Sequence, residues 1–138
     1  MKIEVLGTGM VGRALAARLV QGGHDVVIGT RGVEHTLARI MPDAKGTAAF
    51  PTWQQDKSDI RLLAFADAGA YADVVVNATA GAISLEALQA VGADNLARKA
   101  IVDLAVPLDY SQDRPPKLAF GITDSLGEQI QRASRRPA

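Results

Sequence analysis

Apolar positions along this chain fall into short runs separated by amphipathic stretches, in regular alternation. Ile3, Val5 and Leu6 mark a strand over Lys2–Leu6. Val11, Leu15, Leu19 and Val20 form an apolar stripe, which predicts a helix over about Met10–Gln21. Gly22-Gly23 ends it, because glycine reaches the left-handed conformation that closes a helix. Val26-Val27-Ile28 is a continuous apolar run inside Asp25–Gly29, the pattern of a strand buried on both faces. A short helix is expected over Val33–Ile40, stopped before Pro42. Residues 43–58 are hard to read, and their polar run Gln54–Ser58 reads as a surface loop. Ile60–Phe65, Asp73–Ala78 and Ala100–Ala105 read as the third, fourth and fifth strands. Helices are expected near Ala66–Tyr71, over Ser84–Val91 and from about Ser125, where Ser125-x-x-Glu128 is a capping box. Between the fifth strand and that last helix, Pro107–Lys117 reads as a proline-bearing loop.

Strands alternating with helices at short spacing define an α/β doubly wound parallel sheet, with right-handed crossovers and strand order 3-2-1-4-5. The 138 residues make one domain over the whole chain, with no internal repeat. Fifteen Lys and Arg balance fifteen Asp and Glu, so no basic face is implied and nucleic acid is not an expected partner. The chain has no cysteine, which excludes disulfides, thiolate catalysis and Cys-ligated metal. No apolar run approaches membrane-spanning length and no signal core precedes the first strand, so a cytoplasmic protein is expected.

The most specific local signal is Gly7-Thr8-Gly9-Met10-Val11-Gly12, placed between the first strand and the first helix. A G-x-G-x-x-G in that setting is a dinucleotide-binding fingerprint. Gly7 lets the chain turn out of the strand, Gly9 lets a pyrophosphate approach the backbone, and Gly12 lets the helix pack closely. The phosphates then meet free N–H groups at the positive end of the helix.

The end of the second strand discriminates between nucleotides. An NAD site usually places Asp or Glu there for the ribose 2′-hydroxyl. This chain has Gly29-Thr30-Arg31-Gly32, with no carboxylate. The arginine fork accepts a 2′-phosphate in bidentate fashion and its plane can stack on adenine. Thr30 can add a hydrogen bond. NADP(H) is therefore the expected nucleotide. His35 is within reach of the same phosphate, or is an ordinary surface histidine.

A catalytic acid or base is harder to find, and none is assigned. Neither Tyr71 nor Tyr110 has a lysine four residues later. His24 falls in the turn into the second strand, away from the nucleotide end. Metal ligands do not cluster. Asp103 lies in an apolar strand, where it reads as a buried structural cap. Reducing a carbonyl needs a proton donor, whereas passing a hydride between two stacked rings needs positioning and exclusion of water. Small apolar walls suit the second task. Asn77-Ala78-Thr79-Ala80-Gly81 and Leu104-Ala105-Val106-Pro107, at the ends of the fourth and fifth strands, are candidates.

These segments, with Pro107-Leu-Asp-Tyr110 and Thr123-Asp-Ser-Leu-Gly-Glu-Gln129, resemble the NADP oxidoreductases that use the deazaflavin coenzyme F420. The resemblance follows the chain in order. It implies pyrophosphate at Gly7–Gly12, the 2′-phosphate at Thr30-Arg31, and hydride transfer between the nicotinamide and a deazaflavin stacked above it. Ala78, Thr79, Ala80 and Ala105 are then the walls of the nicotinamide end. Val106 departs from the family, which commonly has asparagine there.

The resemblance breaks off near Ala133, whereas family members run on to complete the deazaflavin pocket and the dimer contact. The sheet is therefore expected to be truncated after its fifth strand and following helix. That would leave an exposed edge able to join homo-oligomers. Arg132, Arg135 and Arg136 read as a basic tail or an anion patch. The expected function is hydride transfer between NADPH and a deazaflavin or flavin-like acceptor. The alternatives are a non-catalytic NADP(H) sensor or carrier, and the nucleotide domain of a reductase completed by a partner chain.

Overall fold

A computed structural model describes residues 1–105, 108–109, 117–118 and 124–134. The chain begins with β1 (Lys2–Leu6), α1 (Met10–Gln21), β2 (Asp25–Thr30), α2 (Val33–Ala38) and α3 (Phe50–Gln54). It continues through β3 (Arg61–Ala64), α4 (Phe65–Tyr71), β4 (Val74–Asn77), α5 (Ser84–Val91), α6 (Ala93–Leu96) and β5 (Ala100–Asp103). A short antiparallel ribbon of β6 (Leu108–Asp109) and β7 (Lys117–Leu118) follows, and then α7 (Leu126–Ser134). The five longer strands form a parallel sheet in the order β3-β2-β1-β4-β5. This is the doubly wound Rossmann arrangement that the alternation of elements predicts.

β1 lies at the middle of the sheet, so its side chains alternate between two cores. Ile3 and Val5 join Val26, Ile28, Val76 and Phe50 on the α1–α3 side. Leu6 joins Phe65, Val75, Leu88 and Val91 on the α4–α5 side, where Leu126 and Ile130 of α7 complete the cluster. The run Val26-Val27-Ile28 is buried throughout, as a strand covered on both faces requires. At the far edge, β5 is different: Val102 is 47% exposed and β4 is its one ladder partner among the described residues.

The structure corrects several details. α2 stops at Ala38, two residues before the expected end, because Arg39 turns to extended backbone with ψ 112°. In the stretch without a clear period, Pro51 sits in the first turn of the short helix α3, a position where its missing N–H costs nothing. The third strand ends at Ala64, and Phe65 already belongs to α4. Part of the expected loop Pro107–Lys117 pairs as the β6–β7 ribbon. The capping box holds: Ser125 N–H donates to Glu128 Oε2 at 2.8 Å and Glu128 N–H to Ser125 Oγ at 3.2 Å. Those bonds hold the Glu128 carboxyl below its ordinary value.

Candidate dinucleotide site

β1 and β4 stay paired to their last residues, Leu6 and Asn77, and a doubly wound sheet opens its crevice beyond that point, where the segments after the two strands diverge. The glycine loop fills the mouth of that crevice. Gly7 has φ +112°, and a Cβ there would lie 2.8 Å from the Ala78 carbonyl oxygen. Gly12 is packed against the Gly7 carbonyl oxygen and Val5, leaving no room for a side chain. Gly9 is the opposite case, since a Cβ there would meet nothing within 4 Å and would project into open space. α1 starts at this point with no side-chain cap and no acidic residue in its first turn. Its first amides therefore face the groove unsatisfied, as an anion site requires.

Among the described residues, three cavities touch this loop: a small one of about 170 Å³ beside Arg13 and Phe50, and two larger ones. The first of the larger two, of about 510 Å³, is lined by Gly7, Thr8 and Gly9 with Thr30, Arg31, His35, Thr36 and Arg39, and across from them by Phe65, Ile83 and Ala87. The other, of about 530 Å³, is lined by Gly9, Met10 and Val11 with Asp43, Ala44, Lys45, Thr47, Leu104 and Ala105. Ala78, Thr79 and Ala80 belong to both. The first cavity carries Arg31 and Arg39 at its rim, and the second has small and apolar walls on the Ala78–Ala80 and Leu104–Ala105 side, with Asp43 and Lys45 at its other side. A larger cavity, of about 640 Å³, lies between β5 and α7, away from the glycine loop.

Every residue singled out in the sequence for nucleotide binding lines the first or the second cavity, except Gly12, which packs behind the loop. Arg31 is exposed and its Nη2 lies 3.1 Å from Glu86 Oε1. Thr30 is buried, and its hydroxyl lies 2.8 Å from that of Thr36. His35 is exposed on α2 at the rim of the first cavity. His24 lies at the N-terminal end of β2, on the opposite side of the sheet's length. Tyr71 donates its hydroxyl hydrogen to Asp25 at that same end. Val106, Pro107, Tyr110, Thr123, Arg135 and Arg136 lie outside the described residues.

Asp103 is not buried as the strand pattern suggested, since β5 is an edge. Its carboxylate still works as a cap: Oδ1 accepts from Asn77 Nδ2 at 3.0 Å and from the Ala105 N–H at 3.1 Å. Asn77 is the centre of a network that sequence reasoning missed. Its Nδ2 also donates to Ser84 Oγ at 3.0 Å, and its Oδ1 accepts from Thr79 Oγ1 at 2.6 Å. These buried bonds fix the Ala78–Ala80 wall to β4, β5 and the start of α5.

Two further residues escaped the sequence reading. Arg13 is only 8% exposed. It donates from Nε to the Thr8 carbonyl at 2.6 Å and from Nη1 to the Ala48 carbonyl at 2.5 Å, which braces the glycine loop from beneath. Arg39 adds a second guanidinium to the first cavity. In the second cavity, the amides of Thr47 and Lys45 hold the Asp43 carboxyl below its ordinary value, so it is ionised. Among the described residues no three His, Asp or Glu side chains converge on a metal position, and no helix is long and apolar enough to cross a membrane.

The sheet order, the uncapped helix start and the open Gly9 define a Rossmann-type dinucleotide-binding fold. Comparison with known proteins narrows the class. The chain belongs to the family of NADP oxidoreductases dependent on coenzyme F420, which matches residues 2–107. A candidate F420-dependent NADP reductase from Arthrobacter sp. FB24 is 53% identical in sequence and superposes with a TM-score of 0.91. That match covers 97% of this chain and 58% of the Arthrobacter protein, so the chain spans well under two-thirds of its relative's length. The NADP-bound pyrroline carboxylate reductase of Plasmodium falciparum has a TM-score of 0.54 at 11% identity over 97% of this chain and 54% of its own, a likeness of fold alone. The Trk system potassium uptake protein TrkA of Mycobacterium tuberculosis is 41% identical over 44 residues, 32% of this chain and 20% of that protein.

Proposed function

We propose that this chain binds NADP(H) across the glycine loop and serves hydride transfer between the nicotinamide and a flat redox ring of the deazaflavin or flavin type. The observation that carries the reading is the pair of cavities joined at Gly9, one with Arg31 and Arg39 at its rim and the other with the small Ala78–Ala80 and Ala105 wall. A pyrophosphate fits between them at the uncapped start of α1. Arg31 and Arg39 suit a 2′-phosphate, because guanidinium groups make charge-assisted hydrogen bonds to it, and the His35 ring can add a hydrogen bond.

When bound, the nicotinamide supplies the carbon that gives or takes the hydride. The chain's own residues then position it. Ala78, Thr79 and Ala80 form one wall, held rigid by the Asn77 network. Met10 and Val11 are 68% and 57% exposed beside that end, an apolar surface suited to a flat ring. Asp43 is ionised and has no proton to give. Ring-to-ring hydride transfer consumes one proton overall, which water can supply to the reduced ring, so it needs no side-chain donor placed at the reacting carbon. The deazaflavin as acceptor is supported by the family's description.

Titration of the chain with NADPH and NADH tests the nucleotide. Arg31→Ala should weaken NADPH by about 1.5–3 kcal/mol and leave NADH nearly unchanged. Equal loss for both would refute the assignment of the 2′-phosphate. Adding the deazaflavin, then a flavin, and following reduction by absorbance tests the acceptor. Tight NADPH binding without turnover would point to a nucleotide-binding portion that another segment or chain completes.

A further inference from the structure

Arg31 does not stand free at the rim of the first cavity. Its Nη2 lies 3.1 Å from Glu86 Oε1, with the two side chains 68% and 65% exposed. The pair joins two different elements. Arg31 comes from the turn after β2, and Glu86 comes from the first turn of α5. Ile83 and Ala87, on either side of Glu86 in sequence, line the wall opposite Arg31. The ion pair therefore ties together, at the exposed rim, the two elements that wall the cavity in which the adenosine end would lie.

We propose that Glu86 is a specificity-determining residue of the nucleotide site, acting as a counter-charge that a 2′-phosphate must displace from Arg31. This rests on the NADP(H) reading above. A nucleotide without the 2′-phosphate can bind and leave the pair intact, with the guanidinium laid over the adenine. A nucleotide with it must take the guanidinium from Glu86 and bring further negative charge toward that carboxylate. Both effects act against the phosphorylated nucleotide alone. The carboxylate thereby limits how far the site prefers NADP(H), and it favours release of a nucleotide that must be exchanged at each turnover. Exposure of both partners keeps the effect small and sensitive to salt.

The test is equilibrium binding of NADPH, NADH, 2′,5′-ADP and 5′-ADP to the whole chain and to Glu86→Gln and Glu86→Lys, at low and high salt. Glu86→Gln should bind NADPH and 2′,5′-ADP about two- to tenfold more tightly, with NADH and 5′-ADP nearly unchanged. Glu86→Lys should extend the gain, and high salt should shrink it in both variants. Circular dichroism of each variant controls for folding. If NADPH binding is unchanged or weaker in Glu86→Gln, or if all four ligands tighten alike, the proposal is overturned. If the unaltered chain does not prefer the 2′-phosphorylated ligands at all, the NADP(H) reading itself fails, and the two failures are distinguishable.

Discussion

Glu4 gives the sharpest test of how this sequence balances its core. It sits in the central strand, one position from Ile3 and Val5, and its side chain shares the α4–α5 face with Leu6. It is 0% exposed, and neither carboxyl oxygen has a hydrogen-bond partner among the described residues. Oε1 is directed at Gly29, where an added Cβ would lie 2.7 Å away, and Oε2 is directed at Gly69. Burial pushes the carboxyl up from 4.5 to about 8, with Lys99 opposing the shift. The Lys99 ammonium donates to the Gly69 carbonyl, close by but without pairing to Glu4.

The pH dependence follows from proton linkage. Below pH 4.5 the carboxyl is protonated in folded and unfolded chains alike and costs nothing through linkage. Between 4.5 and about 8 the unfolded chain releases a proton that the folded chain keeps, so stability falls as pH rises. At about 1.4 kcal/mol per pH unit, the loss is roughly 3 kcal/mol at pH 7 and roughly 5 above pH 8. Domains are commonly stable by only about 5–15 kcal/mol, so this is a large share. Glu4→Gln keeps the shape and removes the titration. Urea denaturation at pH 5, 7 and 8.5 should show the variant nearly equal to the parent at pH 5 and more stable by several kcal/mol at pH 8.5. Curves offset by the same amount at every pH would refute the reasoning, because they would mean that Glu4 does not titrate between the folded and unfolded states.

Gly9→Val should abolish NADPH binding while far-UV circular dichroism stays near that of the parent, since a side chain at Gly9 projects into open groove and not into the protein; retained binding would place the phosphates elsewhere. Single changes at His24, His35, Tyr71 or Tyr110 should lower any redox turnover by less than about 10²-fold, the lower end of general acid–base effects; a larger loss at unchanged nucleotide affinity would reveal a proton donor. Ser125→Ala should cost about 1 kcal/mol in thermal or urea unfolding, because it removes the cap of α7.

Most of the fold was legible because its signals are local. The valine runs, the paired glycines after α1 and the capping box each report on a few adjacent residues, and the parallel order follows from their alternation. The boundaries were less legible where two signals compete. Phe65 belongs by hydrophobicity to β3, yet it opens α4, where it packs on Leu6 and Val75. Phe50 and Trp53 lie in the segment without a clear period. They close the core on the α1–α3 side and cover Arg13, whose guanidinium lies 5.4 Å from the Phe50 ring and 5.8 Å from the Trp53 ring.

The same division runs through the candidate site. The groups that would touch phosphate stand together in sequence, because a helix start and a strand end are each one short segment; Gly7–Gly12 and Thr30-Arg31 could be read directly. The groups that hold or oppose them are far apart in sequence. Arg13 fixes Thr8 by reaching Ala48, Asn77 fixes Thr79 through Ser84 and Asp103, and Glu86 meets Arg31 from another wall. No spacing rule announces such partners, since the sheet order alone brings them together. On the reading proposed above, an arginine at the end of the second strand selects the phosphate, and the carboxylate paired with it tempers that preference. The first is a property of one short segment, and the second of the folded chain.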